Sequence, residues 1–472
     1  MAWKARAVAL LLFSVALTGC IGSEDDPLEA QQVPDPVEAL LSFAEDQALP
    51  MDIGAAEPNL AIHPDGTLFI TAPVGAAEKP NALEGAAWLW RSTDGGQTWE
   101  TLRDPHIRDE ATVPEAAPFP GVFCSCDADV VTSPDGWTYY SDWWIAGFLG
   151  PGNYLVEASP DAGETWQPMP VTIPHIRSVD RQWLIAGEDG FVGLFYSYFG
   201  TVPVSGIGPD TPVNGRAIQA VFSHDHGQTW SLPVDVVAAG PNEAFQIAHP
   251  RILPDGTLIM PYGYVDVQED FFTDLSEVRV AISQDQGETW EQVSVADVPE
   301  GFENLWAVQG AVDDAGNAYI AWAARTGETM TLFVSESQDQ AATWSDAETI
   351  RGQGLNFLPW VAARGDGQVA VGWYGGDATG DPTEASDDAT WYAYVAERAA
   401  PGEPFTVAKV SDQPVKTGPM CPSGAVCGED RELLDYVSLD YDPAGDLHYA
   451  FARSNPDTPG LLPAVVHHAA EV

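Results

Sequence analysis

Lysine is nearly absent from this chain: four among 472 residues, and Lys plus Arg together number 19 against 70 Asp plus Glu, a formal net charge of −51. A field of that sign repels phosphate backbones, so no nucleic acid is expected as a partner. An acidic, lysine-poor surface suits high salt, where screening removes its self-repulsion. No apolar run is long enough to cross a bilayer, and helical periodicity is missing over any long stretch. What is present is a 45% hydrophobic composition with 17 Trp, enough to bury a large core and too much for a disordered chain. The length exceeds an average domain, yet one large all-β ring absorbs it.

The N-terminus carries Lys4 and Arg6, an apolar stretch over residues 7–17, and "LTGC" ending at Cys20. It resembles a prokaryotic lipoprotein signal. That resemblance implies a signal peptide over 1–19, lipidation of Cys20, and an extracytoplasmic protein held to a membrane by its lipid. An ordinary secretory signal is the alternative, and it also exports the chain. Residues 20–50, acidic and punctuated by proline, read as a tether, with the folded domain over 51–472. The remaining cysteines, Cys124, Cys126, Cys421 and Cys427, are even in number, which in an exported chain points to disulfides with three connectivities open. A bridge between Cys124 and Cys126 is strained, whereas Cys421 to Cys427 closes a small loop.

Five near-identical octets punctuate the chain: "STDGGQTW" from 92, "SPDAGETW" from 159, "SHDHGQTW" from 223, "SQDQGETW" from 283 and "SQDQAATW" from 337. Upstream of each lies a strand, a turn such as "PDG", and a second strand, as in "EPNLAIHPDGTLFITA" and "HPRILPDGTLIMPYGY". Two further hairpins, "LPWVAARGDGQVAVGWYG" and "DYVSLDYDPAGDLHYAF", bring the total to seven. Asp-Gly turns tolerate positive φ, and the flanking β-branched and aromatic residues favour strands. A third strand then runs into the octet, which becomes the turn before a fourth. Four strands per repeat predict an all-β fold, a β-propeller of four-stranded blades. Seven blades are favoured, and six follow if one hairpin is decoration. The last repeat is one strand short, so a strand from about residues 37–49 is expected to complete it and remove the open edges.

The pattern Ser-x-Asp-x-Gly-x-Thr-Trp resembles the Asp-box, or BNR repeat, of the sialidase superfamily. Four copies match throughout, and the fifth has Ala in place of Gly. Asp94, Asp161, Asp225, Asp285 and Asp339 recur once per blade near the outer edge, so they cannot converge on one substrate. Their expected role is structural: carboxylates bonded to turn amides, with Trp filling an apolar seam.

A functional site is expected where the starts of the innermost strands surround the channel. Those starts differ between blades while the scaffold repeats, and they hold Glu57, Asp127, Asp129, Asp180, Arg181, His249, Arg251, Trp306, Trp360, Asp435 and Tyr436. Sialidases grip a substrate carboxylate with three arginines and use a Tyr nucleophile with a Glu partner and an Asp acid. The resemblance therefore implies Tyr436 as nucleophile, Glu57 or Glu432 as its partner, Asp127 as acid, and Arg181, Arg251 and Arg431 as the grip. His249, Trp306 and Trp360 would complete the substrate surface. The family's first arginine belongs to a Phe/Tyr-Arg-Ile-Pro motif that this chain lacks, and "HPRILPDG" with Arg251 is its nearest echo. The acidic loop "GGDATGDPTEASDD" offers oxygen ligands for Ca²⁺ but matches no fixed calcium spacing, so no cofactor or metal is expected.

Two functions compete. One is a surface-anchored glycan-acting protein, of exo-sialidase type if an enzyme. The other is a non-catalytic propeller serving as an interaction or assembly platform. A polymer lyase would rest on His249 and Tyr436. The expected partner is a glycan or a surface protein, and the expected state a monomer.

Overall fold

The computed structural model describes residues 47–51, 54–73, 87–103, 123–146, 152–171, 179–199, 216–238, 243–266, 275–298, 308–421, 433, 435–454 and 461–467. All of them belong to one compact unit, Glu38–Val472. They form strands joined by turns, with a single 3₁₀ turn at Pro382–Glu384 among the described residues. No helix among them is long and apolar enough to cross a membrane.

The strands make seven antiparallel sheets, six of them meanders of four strands in chain order and the seventh of three such strands completed by the chain's first strand, and two sheets carry one extra short strand. Seven hairpins in the sequence thus correspond to seven blades. Their innermost strands, numbered here by blade, are Asn59–Ile62 (1), Phe123–Thr132 (2), Val179–Ala186 (3), Glu243–Ile247 with Arg251–Ile252 (4), Val308–Val312 (5), Leu355–Arg364 (6) and Ser438–Tyr441 (7). Around most of the ring each innermost strand packs on the next; between blades 3 and 4 Glu243–Ile247 packs on Val192–Phe199 and Arg216–Ser223, and the innermost strand of blade 7 packs on that of blade 1, which closes the ring.

Closure is made by the chain's early residues. Gln47–Ala48 pairs with Leu461–His467 as the outer strand of blade 7, with Gln47 opposite Val465, and Leu49 beside it is buried. Residues 47–48 lie inside the span read as tether, so the folded domain begins before residue 51. Blade 6, which has no octet, takes Thr390–Arg398 and Thr406–Lys409 as its outer strands.

Each octet is the turn between the third and fourth strands. In the first, the Ser92 hydroxyl bonds the Asp94 carboxylate at 2.8 Å and accepts the Gly96 amide at 2.8 Å. Asp94 in turn accepts the Thr98 amide at 2.9 Å and the Thr98 hydroxyl at 2.6 Å, while the Trp99 indole donates to the Gly96 carbonyl. The same set recurs around Asp161, Asp225 and Asp285. Around Asp339 the carboxylate bonds and the indole bond also persist, although Ala341 replaces the glycine at φ 64°. These bonds hold the Asp94 carboxyl down to about 2, the Thr98 hydroxyl and amide contributing most; the other four are also lowered.

The octets also set the seams between blades. A Cβ on Gly163 would come within 2.7 Å of the Phe69 ring, on Gly227 within 2.9 Å of Met169, and on Gly287 within 2.3 Å of Phe222. In every case the neighbour belongs to the preceding blade. The small residue is what lets the turn close onto that blade.

Candidate active site at the channel mouth

Side chains alternate along a strand, so residues two, four and six before the first turn residue of each hairpin share a face. Counting back from His63, Ser133, Gly187, Leu253, Asp313, Arg364 and Asp442 sorts the channel into three layers. Six back, at the mouth, are Glu57, Asp127, Arg181, Ile247, Leu358 and Tyr436 among the described residues. Four back are Asn59, Asp129, Trp183, His249, Gln309, Trp360 and Ser438. Two back are Ala61, Val131, Ile185, Arg251, Ala311, Ala362 and Asp440.

The mouth layer converges on one guanidinium. An Arg181 nitrogen lies 2.9 Å from the Asp435 carboxylate, 3.4 Å from Glu57 and 3.5 Å from Asp127. Four blades meet there, and all four side chains are at most 8% exposed. Burial alone would lower the Arg181 pKa, but Asp127, Glu57 and Asp435 outweigh it and hold the guanidinium above its usual value. The backbone bends to allow this. Glu57 sits at φ 57°, Arg181 at φ 34° and Leu358 at φ 56°, all left-handed in non-glycine residues. At Arg181 and before Trp360 the pairing register shifts. Such bulges re-aim a side chain, at a backbone cost of order 1–3 kcal/mol each.

Tyr436 completes the layer. The Arg181 guanidinium carbon lies 4.8 Å from its ring centroid, and its hydroxyl donates to the Ala128 carbonyl at 3.4 Å. Burial pushes its pKa well above the ordinary phenol value, with the Glu57 charge adding to this and Arg181 opposing it. Burial thus works against a tyrosinate at this position, and the hydroxyl of Tyr436 donates to a main-chain carbonyl.

Below the mouth the channel is filled by rings. Trp183 lies 5.1 Å from Tyr436 and 5.8 Å from Trp360, and Trp360 lies 5.9 Å from Tyr436, centroid to centroid. His249 packs on both tryptophans, with Nε2 3.5 Å from Asp129. Burial, then the Arg251 charge, lower its pKa, with Asp129 opposing. Trp360 and His249 are thus 3% and 7% exposed and build a plug, where an open sugar-stacking surface was expected.

Arg251 does not join Arg181. It stands two layers deeper, where its guanidinium donates to the Pro250 carbonyl at 3.0 Å and contacts His249. Innermost pairing in blade 4 is interrupted between Ile247 and Arg251, around His249 and Pro250, which is why a strand start and Arg251 look adjacent in the sequence. Arg431, Glu432, Trp306 and Cys20 lie outside the described residues. Asp435, the nearest to Arg181 of the three carboxylates described, was expected at the mouth but not given a role.

The acidic loop disperses its carboxylates: Asp377 reaches Arg351 at 3.6 Å, Asp381 caps the 3₁₀ turn, and Asp388 accepts from Ser386. Among the described residues no three His, Cys, Asp or Glu gather as a metal site. Cys421 is disulfide-bonded.

Residues 188–359 match the family model described as a BNR repeat-like domain. A search of curated proteins finds no match. Among solved structures, the Penicillium chrysogenum α-L-arabinanase complexed with arabinobiose superposes with a TM-score of 0.50 at 14% identity, over 77% of this chain and 99% of that one. A polysaccharide lyase gives a TM-score of 0.50 at 9% identity over 94% of each chain. A Hadza microbial sialidase gives 0.45 at 14% identity, over 88% of this chain and 65% of that one. The first two likenesses agree with the fold.

Proposed function

We propose that this BNR-repeat β-propeller acts on glycans at its channel mouth, cleaving a glycosidic bond between neutral sugars. The observation that carries this reading is the meeting of Glu57, Asp127 and Asp435 on Arg181. Glycoside cleavage takes two carboxyl groups flanking the bond, one to protonate the leaving oxygen and one to attack or to activate water. Asp435, at 2.9 Å, lies nearest the guanidinium of the three; Glu57 and Asp127, at 3.4 and 3.5 Å, stand farther from it and are assigned the reacting roles.

Charge decides between neutral and acidic substrates. Three carboxylates face one guanidinium, which is already committed to them, so among the described residues no arginine grip is left over at this point for a sialic acid carboxylate. The same reading keeps the protein outside the cytoplasm, on a lipid at Cys20, with surface glycan as its partner.

A panel of aryl glycosides, an α-L-arabinofuranoside, a β-galactoside and a sialoside, tests it with wild type, Glu57→Gln and Asp127→Asn. Turnover of a neutral glycoside, reduced about 10²–10⁴-fold in either variant, is expected. No turnover of any member by folded protein, or unchanged turnover in both variants, overturns it.

One observation favours the second reading, a non-catalytic platform: every member of the mouth cluster is buried, as in an ion cluster that only clasps blades. Under that reading the variants alter stability, and the panel gives no turnover.

A further inference from the structure

At the opposite end from the charge cluster, a cavity of about 980 Å³ opens between the seven hairpin turns. The aromatic plug separates the two: Trp360 and His249 line the cavity, whereas Arg181, Glu57, Asp127 and Tyr436 do not. The space exists because five of the seven residues in the deepest layer, Ala61, Val131, Ile185, Ala311 and Ala362, are apolar and three of these are alanines.

The other two residues of that layer are Arg251 and Asp440, on blades 4 and 7, three blades apart around the ring. Burial lowers the Arg251 pKa to about 10 and raises that of Asp440, and the charge of each opposes the other's shift, so the two feel each other electrostatically. Yet no ion pair within 4.0 Å joins them, and Arg251 forms none with any described residue (contrast Arg181). The Asp440 side chain accepts the Tyr441 amide at 2.8 Å and is exposed to the cavity. The Arg251 guanidinium carbon lies 6.0 Å from the Trp360 ring centroid.

We infer that this cavity is a second ligand site, built for a neutral sugar residue that bridges Arg251 and Asp440. Adjacent sugar hydroxyls each offer a donor and an acceptor, so one side of the ring accepts from a guanidinium while the other donates to a carboxylate. The C–H face rests on the edge of Trp360 and the alanine layer. Its size falls within the range of small-molecule sites. Charge excludes anions: seven carboxylates line the cavity against two guanidinium groups, so a uronate or phosphate meets repulsion despite Arg251.

The site is independent of the proposed reaction centre, and the test separates them. Saturation-transfer NMR and calorimetry with L-arabinose, D-galactose and D-glucose, beside D-galacturonate and glycine, measure binding to wild type, Asp440→Asn, Arg251→Met and Glu57→Gln, each checked for folding by near-UV circular dichroism. Expected is saturable binding of at least one neutral sugar. It should weaken about tenfold or more in Asp440→Asn and Arg251→Met, the loss of one hydrogen bond to a charged group, and stay unchanged in Glu57→Gln. Glycoside turnover, where present, should survive Asp440→Asn. Absence of saturable binding by all three neutral sugars overturns the inference, as does preferential binding of galacturonate or glycine. Binding that persists unchanged in folded Asp440→Asn, or that is lost with Glu57→Gln instead, overturns it too.

Discussion

An Arg181 nitrogen lies 2.9 Å from the Asp435 carboxylate, which joins the third blade to the seventh across the channel mouth. The bond spans 254 positions of sequence, and its arginine stands on a left-handed backbone. Arg181→Ala removes the guanidinium that three buried carboxylates share. It is expected to cost about 3–5 kcal/mol, the usual consequence of removing one side of a buried ion cluster. Urea denaturation near pH 7 measures it. The deficit should shrink at acidic pH, where protonation relieves the repulsion; a deficit independent of pH would show that lost packing, not charge, is responsible.

Gly287→Ala places a methyl 2.3 Å from the Phe222 ring at φ 92°. Overpacking and the left-handed backbone together predict a loss of about 2–5 kcal/mol, read as a drop in melting temperature. Ala341→Gly, at the matching position of the fifth octet, should change stability by less than about 1 kcal/mol. It relieves the backbone but removes a buried methyl and loosens the unfolded chain.

The octet carboxylates predict an acid limb in stability. The hydroxyl and amide of Thr98 hold the Asp94 carboxyl down to about 2, below its ordinary value. A lowered folded pKa stabilises fully above the unfolded value and is lost as pH falls through the folded one. Stability should therefore decline from about pH 4 toward pH 2, and Asp94→Asn should reduce the slope in that window. Equilibrium unfolding by guanidinium at stepped pH values checks both points.

A domain cut to begin at residue 51 lacks Gln47–Ala48 and the buried Leu49. Losing that leucine alone costs about 2–5 kcal/mol, and the outer edge of blade 7 is left unpaired. Such a fragment should melt lower than one beginning at residue 38, and it should associate with concentration in sedimentation velocity; equal melting points would contradict the closure by Gln47–Ala48.

The propeller was legible because its signals are local and repeated: an Asp-Gly turn, a strand, an octet. Glu57, Asp127, Arg181 and Tyr436 were also legible, since each falls six positions before its turn and the hairpins align by that turn. Arg251 was misplaced because "HPRILPDG" resembles a strand start, although it lies only two positions before Leu253. Counting back from the turn would have separated it from Arg181 and drawn attention to Asp440, its partner in the same layer, which passed unnoticed. The plug was not readable at all. Nothing in the spacing of Trp183, Trp360 and Tyr436 says that three rings from different blades meet, because that contact depends on ring closure and on the bulges that turn them inward.

Ala341 carries a historical consequence. Five octets so alike imply descent by duplication of one ancestral unit, and the fifth shows how far a copy can drift. It has lost the glycine yet keeps the Asp339 bonds to Thr343, whereas a methyl at Gly287 would collide with the neighbouring blade. Each copy is thus held to its ancestor by the blade beside it more than by its own turn, and divergence in this lineage is expected to proceed seam by seam.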